Sequence, residues 1–252
     1  MKIIIENTKL NELFGPQFEF IADGFHDGEY NMKFDLDRTM GLVHKECLPL
    51  FRLYAWNPWT VSLGANQKEQ DINMDLLKQK EFALVRRPTG GRAVLHAHEI
   101  TYSAVLNIPK GMTVQDAYRD IHMIIISSLR RMGADSLDFE KSQADFLDFY
   151  KNKTLSMSCF ASSARYEVEY EGRKIVGSAQ KTYNNTLLQH GSILIGQGHE
   201  QIAEIANLQS AKERSILRNF IIKHSATIEE ILGRNVEYTE CENAISSVIL
   251  NN

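Results

Sequence analysis

The sequence has little of what marks specialised classes of protein. Its 252 residues contain three cysteines, Cys47, Cys159 and Cys241, and no CxxC pair. An odd count without paired spacing argues against a disulfide framework and a zinc site, and it fits a reducing cytoplasm. No run approaches the roughly 20 apolar residues of a membrane span, and the apolar N-terminal run is too short for a signal peptide. We therefore expect a cytoplasmic protein.

Excess positive charge and chain-breaking residues are also lacking. Lys and Arg total 28 against 32 Asp and Glu, a net charge of −4, which argues against a general nucleic-acid binder. The five prolines are scattered, with no repeat and no Pro/Gly-rich linker. The sequence therefore predicts one domain over residues 1–252, with a core at about 28–210 and a helical tail at about 199–252.

What the sequence does contain is hydrophobic periodicity that alternates between helical and strand repeats. Helical spacing occupies 29–43, 71–80, 114–132 and much of the last 50 or so residues. Strand-like runs occupy 51–56, 60–64, 82–87, 100–108 and 187–195, and a hairpin turns at Glu171-Gly172-Arg173. Hairpins interrupt the βαβ alternation, so a Rossmann repeat is excluded. The prediction is a mixed α/β fold of α+β type, with a largely antiparallel sheet flanked by helices and a helical C-terminal segment.

Residues 86–96, RRPTGGRAVLH, form the first stretch whose residue types suit ligand binding or catalysis. Paired glycines let the backbone approach a ligand and leave N–H groups free for an oxyanion. The three arginines add donors suited to carboxylate or phosphate. A tight hairpin with solvated arginines is an equally good interpretation, and the pattern matches neither a phosphate loop nor GxGxxG.

Cys159 has the most nucleophile-like setting of the three cysteines. It lies among small and hydroxylated residues, SMSCFASS, in an irregular stretch at about 145–164. Free cysteines are usually buried and inert. That interpretation applies to Cys47 and Cys241, which fall in helical, partly apolar contexts.

Lys174 is placed on a strand that begins just after the hairpin turn. An ammonium beside a thiol lowers the thiol pKa, as a cysteine nucleophile requires near neutral pH. A solvent-facing lysine is the common alternative. Gly177 and Ser178 interrupt the same strand, which indicates close approach of another group to the backbone.

Three histidines also lie on predicted strands. His190, in the sequence LQHGS, is a candidate for a pocket floor, although a structural role is commoner for a lone strand histidine. His96 and His98 alternate on one strand face. Without a third ligand at a suitable spacing, they do not predict a metal site.

Together, blocks 86–96 and 172–180 resemble the lipoate–protein ligase and octanoyltransferase superfamily, whose more distant relatives are the biotin protein ligases. The likeness includes 61–67 and runs from roughly residue 28 to 210. Within the superfamily, residues 158–161, 165–167 and 188–192 look most like the octanoyl–acyl carrier protein:protein octanoyltransferases of the LipM type.

The resemblance implies a lipoate/biotin protein ligase-like fold with an acyl tunnel and a two-step reaction that needs neither ATP nor metal. Cys159 would take an octanoyl group from octanoyl–acyl carrier protein as a thioester, with Lys174 lowering the pKa of the thiol. A lysine of a lipoyl domain or a glycine cleavage H-type protein would then accept the group as an amide. Neither nucleic acid nor membrane is an expected partner.

The resemblance further implies a set of substrate-binding residues on the Gly-rich turn and the later strands. They are Arg87, Thr89, Gly90, Gly91, Arg92, His96, Gly177, Ser178, Gln180, His190 and Gly191. Arg86, Arg87 and Arg92 would also help to dock an acidic carrier protein, or would be internal ligands of the pocket. For the base that deprotonates the acceptor lysine, His96 and His190 are candidates.

Two departures from the family pattern bear on substrate preference. His96 is followed by Ala97-His98-Glu99, where relatives often have an acidic residue directly after the first histidine, and 181–185 lacks an expected arginine and glycine. An ATP-dependent lipoate–protein ligase that forms lipoyl-AMP stays open as an alternative. So do an octanoyl amidotransferase between carrier proteins and a non-catalytic acyl sensor or scaffold.

Overall fold

The computed structural model describes residues 1–6, 8–139 and 167–251. The strands of these ranges are β1 Lys2–Glu6, β2 Gln17–His26, β3 Leu50–Trp56, β4 Thr60–Leu63, β5 Ala83–Arg86, β6 Val94–His96, β7 Glu99–Asn107, β8 Leu137–Phe139, β9 Val168–Tyr170, β10 Arg173–Lys174, β11 Val176–Tyr183 and β12 Thr186–Leu194. The helices are α1 Asn11–Phe14, α2 Gly28–Val43, α3 Met74–Gln79, α4 Val114–Arg131, α5 Ile202–Ile205, α6 Ala211–His224, α7 Ile228–Leu232 and α8 Tyr238–Leu250. Single 3₁₀ turns lie at Glu69–Asp71 and His199–Gln201.

The strands form one large and two small sheets. The large sheet has the order β1-β2-β3-β7-β12-β11, and its neighbours are antiparallel except for the parallel pair β2–β3. A three-stranded sheet, β5-β4-β6, pairs β4 with β5 in parallel and with β6 antiparallel. The third, β10-β9-β8, is antiparallel. The predicted mixed, largely antiparallel fold is thus confirmed.

The two faces of the large sheet differ in chemistry because side chains alternate along a strand. On one face, Phe51 and Leu53 of β3 and Ile100 and Tyr102 of β7 join the main apolar core, which α4 and α8 cover. On the opposite face, the same strands place Arg52, Tyr54, Thr101 and Ser103, all buried. The large sheet therefore separates an apolar core from a buried polar layer.

Local sequence accounts for the helices that cover the sheet. Thr113 begins α4 with a capping box, in which its hydroxyl accepts from the Asp116 N–H and the Asp116 carboxylate accepts from the Thr113 N–H. At α2, the Asp27 side chain accepts the N–H of Tyr30. Helix α2 packs across the polar face and carries the buried residues Asn31 and Asp35.

Most predicted elements are found within a residue or two of their expected ends, and three details differ. Residues 1–26, for which the sequence predicted no element, supply the strands β1 and β2. Cys47 is not helical: α2 ends at Val43, and the half-buried thiol lies in the following turn, where it donates to the Arg38 carbonyl. The last helix, α8, is part of the main core rather than an appendage, since Cys241 and Ile245 are fully buried.

No helix in the described ranges is long and apolar enough to cross a membrane.

Candidate active site

A cavity lies where the polar face of the large sheet meets α2 and the β5-β4-β6 sheet. One part of the lining is apolar or aromatic: Met32, Tyr54, Trp56, Val94 and Ala179. The other part is polar or exposes backbone: Ser62, Arg87, His96, Thr101, Gly177, Ser178, His190, Gly191 and Ser192.

Arg87 fixes the Gly-rich turn beside the cavity. Its Nη2 donates to the carbonyl oxygens of Gly90 at 2.8 Å and Arg92 at 2.7 Å, and its Nη1 donates to the Ser62 carbonyl at 2.9 Å. The side chain is buried, so this guanidinium serves the loop rather than a docking surface. Gly64 packs directly against this turn, since a Cβ at Gly64 would overlap the carbonyl oxygen of Gly91.

A buried ionic cluster lies between α2 and the polar face of the sheet. Asp35 accepts from Arg52 Nη1 at 3.2 Å, from the Tyr54 hydroxyl at 3.1 Å and from the Ser103 hydroxyl at 2.8 Å. Arg52 also donates to Asp23, and its guanidinium stacks over the Tyr54 ring at 4.0 Å. Burial raises the pKa of Asp35, but the hydrogen bond with His190 and the positive charge of Arg52 together hold that pKa below its ordinary value.

His190 connects this cluster to the Gly-rich turn. Its Nδ1 lies 3.1 Å from Asp35 Oδ2, and its Nε2 lies 2.7 Å from the Thr89 hydroxyl. An ionised Asp35 can only accept, so Nδ1 carries the proton and Nε2 accepts from Thr89. Burial lowers the pKa of His190, which keeps the ring neutral, whereas the Asp35 carboxylate acts to raise that pKa.

His96 has a similar arrangement with a different carboxylate. Its Nδ1 lies 2.8 Å from Glu99 Oε1, its Nε2 lies 2.8 Å from the Ser62 hydroxyl, and its ring stacks on Trp56 at 4.0 Å. Glu99 also accepts from Thr101, which in turn accepts from the Trp56 indole N–H at 2.7 Å. The cavity is thus bordered by two buried histidine–carboxylate pairs.

The Ser178 hydroxyl belongs to a network on the other side of the sheet. It bonds the Tyr102 hydroxyl at 2.7 Å and His122 Nε2 at 2.8 Å, and Tyr102 also accepts from Gln189 Nε2 at 2.8 Å. These bonds anchor β11 to β7 and α4 at the point where the backbone of Gly177 and Ser178 borders the cavity.

Lys174 is buried at the start of the strands that lead to the cavity. Its ammonium lies 2.6 Å from Glu167 Oε1, and each of these side chains is 3% exposed. Lys174 lies on a strand next to the Glu171-Gly172 turn, as expected. The single strand predicted over 174–179 is wrong, because β10 ends at Lys174 and Gly177 and Ser178 belong to β11 in the large sheet. The solvent-facing alternative is wrong for this lysine.

The structure brings six of the eleven expected substrate-binding residues to the cavity: Arg87, His96, Gly177, Ser178, His190 and Gly191. Thr89 does not line the cavity but is hydrogen-bonded to His190, which does. Gly90, Gly91 and Arg92 form the turn to which Arg87 donates hydrogen bonds. Gln180 lies farther along β11, opposite Gln189, outside the cavity lining. Cys159 lies outside the described residues.

Asp35, Glu99 and Trp56 belong to the site, and sequence reasoning did not assign any of them a role. The available signal was polar residues at every second position of apolar strands, such as Thr101 and Ser103 in β7. His98 does not share a strand with His96, because β6 ends at His96, and its Nδ1 lies 4.0 Å from Glu229. Within the described ranges, no group of three His, Cys, Asp or Glu residues is arranged to hold a metal ion.

The fold of this chain is shared with solved structures of lipoate–protein ligases. It aligns with the bipartite lipoate protein ligase of Thermoplasma acidophilum at a TM-score of 0.69 and 19% identity, covering 91% of this chain and 80% of that one. It aligns with a lipoate–protein ligase A bound with ATP at a TM-score of 0.65 and 18% identity, covering 91% and 82%.

Sequence similarity defines the family more narrowly. Residues 27–249 match the lipoyl protein ligase A/B catalytic domain, and the chain belongs to that family. It is 37% identical to octanoyltransferase LipM of Halalkalibacterium halodurans over 212 residues, which is 81% of this chain and 75% of the relative. It is 33% identical to octanoyltransferase LipM of Lysinibacillus sphaericus over 237 residues, which is 89% of this chain and 83% of the relative.

Proposed function

We propose that this chain is an acyltransferase of lipoate biosynthesis that moves an octanoyl group from octanoyl–acyl carrier protein to a lysine of a lipoyl-type acceptor domain. The observation that carries the proposal is the similarity, over most of the chain, to relatives named octanoyltransferase LipM. The cavity supports it, because an apolar wall beside polar groups and exposed backbone suits an acyl chain with a reactive carbonyl at one end.

The reaction runs in two steps with Cys159 as the carrier of the acyl group. In the first, the Cys159 thiolate attacks the thioester carbonyl, a new C–S bond forms, and the thiolate of the donor leaves. In the second, the acceptor amine attacks the acyl-enzyme, an amide C–N bond forms, and the Cys159 thiolate leaves. Thioester exchange is nearly balanced in free energy and amide formation from a thioester is downhill, so the sequence proceeds without ATP or a metal ion.

The two described cysteines are poor candidates for the nucleophile, which supports assigning that role to Cys159. Burial raises the pKa of Cys241 to about 12, and the thiol lies in the apolar core under α8. Burial also raises the pKa of Cys47. This residue lies beyond the C-terminal end of α2, whereas the cavity-lining Met32 is near the N-terminal end of that helix. A thiolate at neutral pH requires the opposite shift.

Lys174 supplies positive charge for the thiolate in this proposal. Its ammonium lies against Glu167 in a buried position, and Glu167 is eight residues beyond Cys159 in the chain. A charged amine held away from water stabilises an adjacent thiolate more strongly than a solvated amine does. The Glu167 carboxylate offsets part of this positive charge, so Lys174 lowers the pKa of a thiol that lies nearer to the ammonium than to the carboxylate.

Intact mass spectrometry tests the proposal directly. The purified protein is mixed with octanoyl–acyl carrier protein without ATP, beside the variants Cys159→Ala and Cys47→Ala. We expect a hydroxylamine-labile octanoyl adduct on the wild type and on Cys47→Ala, and none on Cys159→Ala. Transfer of free lipoate or octanoate that requires ATP, with no adduct on any form, would overturn the proposal in favour of a ligase.

The acceptor is tested in the same system. Adding a lipoyl domain or a glycine cleavage H-type protein to the isolated adduct should move the octanoyl mass to the acceptor, in a form resistant to hydroxylamine. An acceptor whose target lysine is changed to arginine is the matched control and should stay unmodified. If the octanoyl group stays on the enzyme in the presence of either acceptor, lipoyl-type domains are not the acceptors of this enzyme.

A further inference from the structure

His190 and His96 both border the cavity, and they differ in the hydrogen-bond partner of Nε2. Nε2 of His96 bonds Ser62 in the middle of β4, and the Ser62 hydroxyl also accepts from Arg87 Nη1 at 3.1 Å. Nε2 of His190 bonds Thr89, which lies on the turn before Gly90-Gly91. The partner of His96 is therefore fixed within a sheet, whereas the partner of His190 belongs to a loop that borders the substrate site.

The Asp35 carboxylate behind His190 favours a positive charge on the ring, although the surroundings as a whole lower the pKa of His190. Behind it, two carboxylates, Asp23 and Asp35, face the single guanidinium of Arg52, so one negative charge in this cluster is not balanced by Arg52. A proton on His190 would sit against Asp35 Oδ2, 3.1 Å from Nδ1. Arg87 and His96, the other ionisable groups that face His190, act in the opposite direction, as does burial.

We propose that His190 is the general base of the second step and that Asp35 is its positioning residue; this inference rests on the proposed function. Asp35 keeps the Nδ1–H tautomer, so that Nε2 presents its lone pair to the acceptor amine once the Thr89 hydroxyl is displaced. As the amine nitrogen bonds to the acyl carbon and the C–S electron pair leaves with sulfur, one amine proton moves to Nε2. The imidazolium then releases this proton to solvent.

The neighbouring strand supports this assignment by geometry. His190 lies opposite Ala179 in the β11–β12 register, and Gly191 lies opposite Ser178. The ring therefore borders the cavity beside the backbone of Gly177 and Ser178, and the strand that contains these residues follows directly on Lys174. A base in this place is available to an amine that enters the cavity beside this backbone.

The test separates the two half-reactions. Acylation is followed by intact mass with octanoyl–acyl carrier protein alone, and transfer is followed after an acceptor domain is added to the isolated acyl-enzyme. In His190→Gln and His190→Ala, the ratio of transfer rate to acylation rate should fall about 100-fold, within the usual contribution of a general base. His199→Gln is the matched control, since His199 is equally buried but does not line the cavity.

The pH dependence and chemical rescue distinguish a base from a structural residue. The transfer rate of the wild type should fall as pH drops and Nε2 becomes protonated, and this acid limb should be absent in His190→Gln. In Asp35→Asn the limb should move to lower pH, because the carboxylate that raises the pKa of His190 is gone. Added imidazole should restore transfer to His190→Ala and should leave the transfer rate of His199→Gln, which is expected to equal that of the wild type, unchanged.

The outcomes separate failure of this inference from failure of the proposed function. A wild type that forms no acyl-enzyme would overturn the proposed function and the inference with it. A normal acyl-enzyme, with His190→Gln and Asp35→Asn both keeping the wild-type acid limb and transfer ratio, would overturn the inference alone. Circular dichroism and thermal unfolding of each variant establish that the comparison is between folded proteins.

Discussion

Nδ1 of His190 lies 3.1 Å from Oδ2 of Asp35, which joins a strand and a helix that are 155 residues apart in the chain. The same carboxylate accepts from Arg52 and Ser103, so helix α2 is bonded to three neighbouring strands of the large sheet. Buried charged groups of this kind are retained only when their hydrogen bonds are satisfied. Helix α2 is therefore a structural part of the candidate site and not only its cover.

The first prediction concerns the pH dependence of stability at Asp35. Its pKa is lowered in the folded state, so its contribution to stability is present above the unfolded pKa of about 3.9 and is lost as pH falls through the lower folded pKa. Asp35→Asn should lower the unfolding free energy at pH 7 by about 2 kcal/mol, through lost charged hydrogen bonds. It should also flatten the decline of stability below about pH 4.

Urea unfolding at a series of pH values measures both effects. Asp37→Asn is the control, because Asp37 lies on the exposed side of the same helix and pairs with Lys33. It should follow the wild type at every pH. Equal slopes for Asp35→Asn and the wild type in the acid range would show that this carboxylate does not contribute as described.

Local periodicity was sufficient to predict the elements that carry most of the fold. Strand β3, LFRLYAW, and helix α4 have apolar spacing that is visible without tertiary information. Strands β1 and β2 were not predicted, because the apolar run of β1 is only three residues, Ile3–Ile5, and gains a strand's stability only from its partner. That partner, Ile21 opposite Lys2, is set by the tertiary fold.

The sequence predicted the site residues that lie in glycine-containing motifs or in motifs of the family. It did not predict the residues whose role depends on hydrogen bonds to distant parts of the chain. Gly177, Ser178 and His190 were expected and do line the cavity. Arg52 is fully buried in the middle of β3, and nothing in LFRLYAW indicates that Asp23 and Asp35 compensate its charge. Such compensation is a long-range property that spacing along the chain does not encode.

The second prediction concerns the close approach of two glycines. A Cβ at Gly64 would overlap the carbonyl oxygen of Gly91, so Gly64→Ala must displace the Gly-rich turn. We expect a loss of about 1–3 kcal/mol in unfolding free energy, as in other overpacked sites. Gly90→Ala is the matched control for stability, because a Cβ there meets no atom within 4 Å, and it should change stability by less than about 0.5 kcal/mol. Thermal unfolding of the two variants makes the comparison.

The third prediction tests whether the acyl chain occupies the cavity. Met32 of α2 lines it, and a tryptophan there would fill part of the cavity. Met32→Trp should lower the rate of octanoyl adduct formation at least about 10-fold relative to butanoyl adduct formation, since loss of several buried methylenes is worth more than 1.4 kcal/mol.

Intact mass with octanoyl and butanoyl donors in competition measures this ratio. Met123→Trp is the control, because Met123 is exposed on α4 and does not line the cavity. It should keep the wild-type preference. A Met32→Trp enzyme that still prefers octanoyl would place the acyl chain elsewhere.

The fourth prediction separates the structural role of Lys174 from its chemical role. Lys174→Met leaves the Glu167 carboxylate buried without this ammonium, which should cost about 3–5 kcal/mol of unfolding free energy. The double variant Lys174→Met with Glu167→Leu removes both charges, and its stability should return to within about 1 kcal/mol of the wild type. If Lys174 lowers the pKa of the nucleophile, the double variant should be up to about 30-fold slower in acylation at pH 7, because a thiol with a pKa of about 8.5 is only about 3% thiolate there.

Raising the pH is the decisive measurement on that double variant. A thiol without its ammonium partner becomes a thiolate only at higher pH, so the acylation rate should rise steeply between about pH 7 and 9, toward the ordinary cysteine pKa of about 8.5. The wild-type rate should change little over the same interval. A stable double variant that acylates at the wild-type rate at pH 7 would leave Lys174 with a purely structural role in the buried pair with Glu167.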